Sequence, residues 1–288
     1  MGTMLETLVP YLPFDNLSQP SSLINPKDEY GYIQTVVKSV REEARVSEES
    51  VLNFQNLLDL FWNRHAVLIP VLWGDKEHHE NALHIYLPSS MTTWIYLNLD
   101  CKAPDFKFWM AHELGHVYAP GLIGDETSDD AEDFADHFAG ALLFSESMAL
   151  REYKHLCRIQ SVPLAINCIC ERAEELGISP VTVYSEVNRF AEHHGKRPIS
   201  LSSPNQIYQV MTNFNRNHST IGQLLFDNLE PSPGQYIASA RERFKSPIFD
   251  SVREYIKEGD RSPRSPSFLQ SILSIPLLDA HGIYEALC

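Results

Sequence analysis

Apolar residues recur at helical spacing over 29–44, around Ile33, Val36, Val37 and Val40, and predict an amphipathic helix. Ser47-Glu-Glu-Ser50 stands ahead of Val51, Leu52, Phe54, Leu57, Leu58 and Leu60. That order predicts a second helix, capped at 47–50 and running through Trp62. The pattern then changes to short, nearly continuous apolar runs. Segments 66–73, 82–87 and 92–99 predict three strands, and Pro70 moves the first to a sheet edge or splits it. A mostly apolar lead-in, Phe106 to Ala111, opens a helix that Pro120 and Gly121 should end just past Tyr118. Over 129–144, apolar residues at 131, 134, 135, 138, 141 and 142 predict a helix with one buried face, with Thr127, Ser128 and Asp129 as cap candidates.

Beyond Ser145 the chain reads as mostly helical to about Leu176, with Pro163 as a break. Residues 171–190 read as helix, Gly177 turn, then a helix capped by Ser179 with Pro180 first. This is similar to a helix-turn-helix, with Thr182, Tyr184, Ser185, Asn188 and Arg189 on the second helix. A structural helix pair is the favoured reading, because so few basic residues accompany it. The Pro/Ser segment 197–205 marks a boundary. Short helices are expected around 206–214, 219–228, 234–243 and 247–257, then a second linker over 258–267 and a terminal apolar stretch. Residues 1–30, with Pro10, Pro13, Pro20 and Pro26, read as loop. The pattern as a whole predicts an α+β fold divided into 1–30, a domain over 31–150, a helical helix-turn-helix-like segment over 151–197, and a mainly helical region of unassigned role over 206–288.

Within the helix ending near Tyr118 lies His112-Glu-Leu-Gly-His116. Residues four apart on a helix share a face, so His112 and His116 can share one metal ion with Glu113 beside them. This is the HExxH pattern of zinc hydrolases. The alternative is a surface helix with two solvated histidines, against which the apolar lead-in argues. A hydrolase zinc needs a third protein ligand and an open position, and the next helix offers Glu132. Asp136, one turn on, can accept a hydrogen bond from the outer nitrogen of a ligand histidine. His137 competes as a ligand but points about 100° from Asp136, and ranks below Glu132.

His112-Glu-Leu-Gly-His116, an acidic spacer, and Glu132-x-x-Ala135-Asp136-x-Phe138-Ala139-x-x-Leu142-Leu143 together resemble the ImmA/IrrE family of zinc metallopeptidases. The family's closing Met-Pro is replaced by Phe144-Ser145, at a position that carries no ligand. The resemblance implies a zincin-like core, a small sheet packed on the HExxH helix and the glutamate helix. It implies Zn2+ held by His112, His116 and Glu132, with Glu113 as the catalytic base. An exposed edge strand, 82–87 or 92–99, would bind substrate backbone by strand addition. Tyr118, His137, Tyr153 and His155 are candidate donors to the oxyanion, and sequence does not choose among them. The 120–131 segment, acidic and glycine-containing, is placed to cover the metal.

Composition narrows the setting. Residues 1–200 hold 15 Lys+Arg against 29 Asp+Glu, and 201–288 hold 8 against 9, for a net charge of −15. Such a chain repels a phosphate backbone, so DNA binding is not favoured. The five cysteines are scattered without a C-x-x-C pair, which indicates neither a zinc ribbon nor a disulfide framework. There is no apolar run of membrane-spanning length and no signal-peptide core, so a cytoplasmic location without a membrane partner is expected. The resemblance suggests an endopeptidase acting on a transcriptional repressor or regulator, in a stress response or on a mobile element. With no repressor-like unit in 1–65, that substrate would be a separate helix-turn-helix protein. The alternative is a zinc-binding regulatory, toxin–antitoxin or phage-defence protein that binds protein or DNA without efficient turnover.

Overall fold

A computed structural model describes residues 2–14, 23, 25–73, 80–122, 128–203, 205–227, 230–258 and 265–288. It opens with α1 (Gly2–Glu6), a 3-10 turn (Val9–Tyr11), α2 (Tyr30–Glu43) and α3 (Phe54–Asn63). Strands β1 (Ala66–Val71), β2 (Ala82–Leu87) and β3 (Thr92–Asn98) follow. Then come α4 (Ala103–Tyr118), a 3-10 turn (Pro120–Leu122), α5 (Ser128–Leu143), α6 (Glu146–Leu156), α7 (Val162–Leu176) and α8 (Pro180–His193). Six more helices finish the chain: α9 (Gln206–Asn215), α10 (Ile221–Leu225), α11 (Pro233–Phe244), α12 (Ile248–Lys257), α13 (Pro266–Leu273) and α14 (Leu277–Leu287). The architecture is α+β. No helix among the described residues is long and apolar enough to cross a membrane.

Two units result, both discontinuous in sequence. One is Met1–Ser22, Phe61–Cys101 and Thr220–Cys288; the other is Leu23–Leu60 and Lys102–Ser219. The strands thus group with residues 220–288, and the helix carrying the HExxH motif groups with α2, whereas the sequence suggested contiguous segments.

In the first unit the strand order is β1-β3-β2, with β1 parallel and β2 antiparallel to β3. Every residue of β1 and β3 is buried. Segment 92–99, expected as a possible edge, is therefore the central strand; β2 is the edge with the more exposed face. An apolar run cannot itself tell a central strand from an edge. Pro70 sits within β1, which is an edge, as its missing N–H requires. The outward carbonyls of β1 do not stay unpaired. Tyr236 Oη donates to the Pro70 carbonyl and Ser246 Oγ to that of Leu68. The C-terminal end of α13 is used likewise: its Ile272 carbonyl accepts from Tyr96 Oη at 2.7 Å and its Leu273 carbonyl from Trp73 Nε1 at 2.9 Å. Residues 220–288 thereby cap a sheet edge and fix a helix end. Residues 2–12 are not loop: Leu5, Leu8, Val9 and Leu12 are buried at helical spacing, a signal that the nearby prolines obscured.

The second unit is helical. Ser47–Ser50 does not cap a helix; it forms a turn bound to Arg41. Helix α3 starts instead at Asn53 and Asn56, whose side chains and backbone N–H groups bond reciprocally at 3.0 Å. Pro163 lies in the first turn of α7 rather than breaking a helix. Gly177 adopts the left-handed conformation (φ 60°) that ends α7, and Ser179 caps α8 through the Val181 N–H. Most of the polar residues expected on α8 face inward or are bonded within the protein, and Ser185 is exposed. Thr182 is buried, Tyr184 and Asn188 bond the Ile199 backbone, and Arg189 bonds Glu186.

Arg41 is a buried cation on α2. It donates to the Leu142 carbonyl at 2.5 Å, to Ser47 at 2.8 and 3.2 Å, and to Ser50. Burial lowers its pKa to about 10. Leu142 lies in the last turn of α5, whose carbonyls have no helical partner. Arg41→Met should cost about 3 kcal/mol, because three carbonyls lose their donor. Urea unfolding measures it; a loss below about 1 kcal/mol would refute the claim that Arg41 ties α2 to α5.

Candidate metal centre

Helix α4 begins after Lys102, which is extended, with Pro104 in its first turn. It is apolar on nearly all sides, and Met110–Tyr118 are buried throughout. Its end is set where the sequence suggests: Ala119 N–H reaches Gly115 O at 3.0 Å, and Pro120 opens a 3-10 turn. Helix α5 buries Ala131, Phe134, Ala135, Phe138, Ala139 and Leu142 and leaves Glu132 and Asp136 on its more open side.

The two helices approach at Gly115. A Cβ there would stand 3.0 Å from Ala135 Cα and 3.2 Å from Phe138 Cδ1. The glycine of the HELGH segment and the alanine three residues after Glu132 thus meet backbone to backbone. This contact lets α5 bring its carboxylates over the histidines.

His112, His116 and Glu132 form a group that could hold a metal ion, with one donor atom each and all three within 4.8 Å of one another. His112 Nε2 lies 3.1 Å from His116 Nε2 and 3.3 Å from Glu132 Oε2; His116 Nε2 lies 3.4 Å from Glu132 Oε1. Asp136 Oδ1 sits 2.8 Å from His112 Nδ1. A proton held on Nδ1 by that carboxylate leaves the Nε2 lone pair facing the other two donors. Trp109 packs edge-on against His112, ring centroids 5.1 Å apart. Its i, i+3 spacing to His112 is the signal that sequence reasoning passed over.

Glu113 is buried, and its Oε2 has no hydrogen-bond partner among the described residues. Burial pushes its carboxyl up to about 7; the His112 charge opposes this and the Glu132 charge adds to it. For His112, burial disfavours the cation, but the Asp136 bond and the Glu113, Asp136 and Glu132 charges outweigh it and raise the pKa.

Of the other candidates, none joins this cluster among the described residues. Tyr118 Oη donates to Glu43 Oε2 at 2.8 Å, and His137 Nδ1 pairs with Asp28. Tyr153 Oη donates to the Arg197 carbonyl at 3.0 Å, and His155 Nε2 lies 3.8 Å from Cys168 Sγ. Helical direction, not proximity in sequence, sends each elsewhere. Of the expected covering segment, residues 123–127 lie outside the described residues.

The buried Glu113 carboxyl makes the stability of the metal-free protein depend on pH. The folded pKa of Glu113 is above its usual 4.5, so the native state binds the extra proton between about 4.5 and 7. The contribution of this group to stability should therefore be full at and below about pH 4.5 and be lost as pH rises to about 7, by on the order of 3 kcal/mol. Glu113→Gln should abolish that fall. Chelator-treated wild type and variant, unfolded in urea at pH 5 and pH 8, give the comparison; equal pH dependence would contradict it.

Compared with known protein families, residues 65–187 match the IrrE N-terminal-like domain, Peptidase_M78. No curated relative matches the chain.

Proposed function

From the match of residues 65–187 to the IrrE N-terminal-like domain, Peptidase_M78, we propose that the chain is a zinc-dependent endopeptidase that cleaves a separate regulatory protein. His112, His116 and Glu132 would hold the ion and Glu113 would act as base. The family is one of metallopeptidases; the choice of zinc rests on the donor set. Two imidazoles and a carboxylate are a hydrolase zinc set. Donors about 2.0–2.1 Å from a tetrahedral zinc stand about 3.4 Å from one another; here the two imidazole nitrogens are 3.1 Å apart, and Glu132 brings one carboxylate oxygen to 3.3 Å from His112 and the other to 3.4 Å from His116.

The observation that carries the reading is Glu113: a buried carboxylate with one free oxygen, beside two converging imidazoles. A site that only held metal for structure has no use for it. The ion, when bound, acidifies water and polarises a carbonyl. Glu113 takes a proton from the attacking water at its free oxygen and returns it to the amine as the C–N bond breaks. A pKa of about 7 suits a group that must both accept and give that proton. Asp136 keeps His112 in one tautomer throughout.

A helix-turn-helix repressor is the substrate class this reading favours. DNA is the less favoured partner, since Tyr184, Asn188 and Arg189 of α8 are already bonded within the protein. A second reading, binding without efficient turnover, draws support from the four oxyanion candidates, all bonded elsewhere. The zinc-loaded protein and its Glu113→Ala variant should be incubated with the repressor encoded beside it. Discrete fragments with the wild type alone are expected. Cleavage that survives the substitution would sink the mechanism, and no cleavage by either, with specific DNA retention, would favour the second reading.

A further inference from the structure

Helix α6 carries a basic face in an acidic protein. Arg151, Lys154 and His155 on this helix, with Arg158 in the turn that follows it, line one groove of about 660 Å3 with Leu150 and Ile159. The acids of the same segment are turned away or neutralised. Glu152 is buried and accepts from Arg172 Nε at 3.2 Å; Glu146 accepts from His194 Nε2 at 3.0 Å. One carboxylate lines the groove, Glu49, and it stands 3.8 Å from Arg151. Lys154 and Arg158 have no carboxylate within ion-pair distance among the described residues. With a net charge of −15 over the chain, three uncommitted or weakly paired cations on one face form a local reversal of sign.

We infer that this groove docks an acidic segment of a partner protein, one with apolar side chains among its carboxylates. The occupant follows from the lining. Arg151 to His155 spans about 6 Å of helix, and Arg158 continues the row in the turn beyond Leu156, a length that a few residues of extended chain can follow. Leu150 and Ile159 offer apolar contact that a phosphate backbone cannot use. No Phe, Tyr or Trp lines the groove, so bases lack a large ring to stack on, and the acidic remainder of the molecule repels a long polyanion. The inference does not depend on the metal centre.

Fluorescence anisotropy with the full-length protein tests it. The probe is a labelled glutamate-rich peptide with two leucines; the comparison probes are a lysine-rich peptide and a single-stranded oligonucleotide of the same charge as the first. The acidic peptide should bind, and several-fold more weakly as salt rises from about 50 to about 300 mM. Arg151→Gln/Lys154→Gln/Arg158→Gln should weaken it about tenfold, and the corresponding triple Glu variant further. The Gln variant keeps the test intact if charge reversal disturbs the helix, and circular dichroism checks both. Absence of binding, binding indifferent to the Gln variant, or tighter binding of the oligonucleotide would each overturn the inference.

Discussion

Glu132→Ala is expected to leave the protein without stoichiometric zinc after dialysis, and without peptidase activity as a result. Glu132 supplies the only carboxylate of the three-donor group, and it reaches both histidines, at 3.3 and 3.4 Å. With it removed, two imidazoles remain, fewer than the three protein ligands of a catalytic zinc site. Asp136→Ala should act more mildly. Its carboxylate touches His112 Nδ1 at 2.8 Å and orients a ligand rather than being one, so affinity should fall about 10–100-fold with one zinc still bound at saturation. Metal analysis of the dialysed variants, followed by chelator competition, separates the two. Unchanged zinc in Glu132→Ala would remove that residue from the ligand set. Both side chains are solvent-facing, 63% and 56% exposed, so neither loss should be confused with unfolding.

The second large effect concerns a residue with no side chain. Gly115→Val should weaken zinc by about 100-fold while costing about 2–3 kcal/mol of stability, the usual range for overpacking. Even one added carbon would sit 3.0 Å from Ala135 Cα, closer than ordinary contact, and a backbone atom cannot swing aside. Helix α5 must move outward, and Glu132 and Asp136 move with it. Gly115→Ala is the graded control. It adds one methyl and gains up to about 1 kcal/mol of helix propensity, so its net stability change should be small while its zinc affinity still drops, by about tenfold. Urea unfolding of the metal-free proteins and chelator competition of the loaded ones measure the two quantities separately. Full affinity in Gly115→Val would show that the helix spacing does not set the metal geometry.

Much of the site was legible because it is written in short-range periodicity. His112 and His116, and likewise Glu132 and Asp136, are four apart on their helices; α5 lies within a residue of its expected bounds, and α4 ends as expected but starts three residues earlier, at Ala103. Elements whose identity depends on remote partners were not. Ser47-Glu-Glu-Ser50 has the composition of a cap, yet Arg41, on the neighbouring helix, holds it as a turn. Thr92–Asn98 has the composition of either an edge or a central strand, and only its pairing with both β1 and β2 makes it central. The region from 220 onward showed no motif because it supplies hydroxyls to the edge strand β1 and a carbonyl to Tyr96 of the central strand, all more than a hundred residues earlier.

Tyr118, His137, Tyr153 and His155 illustrate the same division. Each is the right kind of donor near the right segment, and each is directed to Glu43, Asp28, Arg197 or Cys168 instead. The sequence by itself determined which side chains share a helix face, because a turn of 3.6 residues is a local property. It therefore placed His112 and His116 on one face of a helix beside Glu113, and Glu132 and Asp136 on one face of the next. Only the tertiary structure decided which faces meet. The approach of α4 and α5 at Gly115 and Ala135 is a packing contact between residues twenty apart, and it turns two amphipathic patterns into one set of three converging donors.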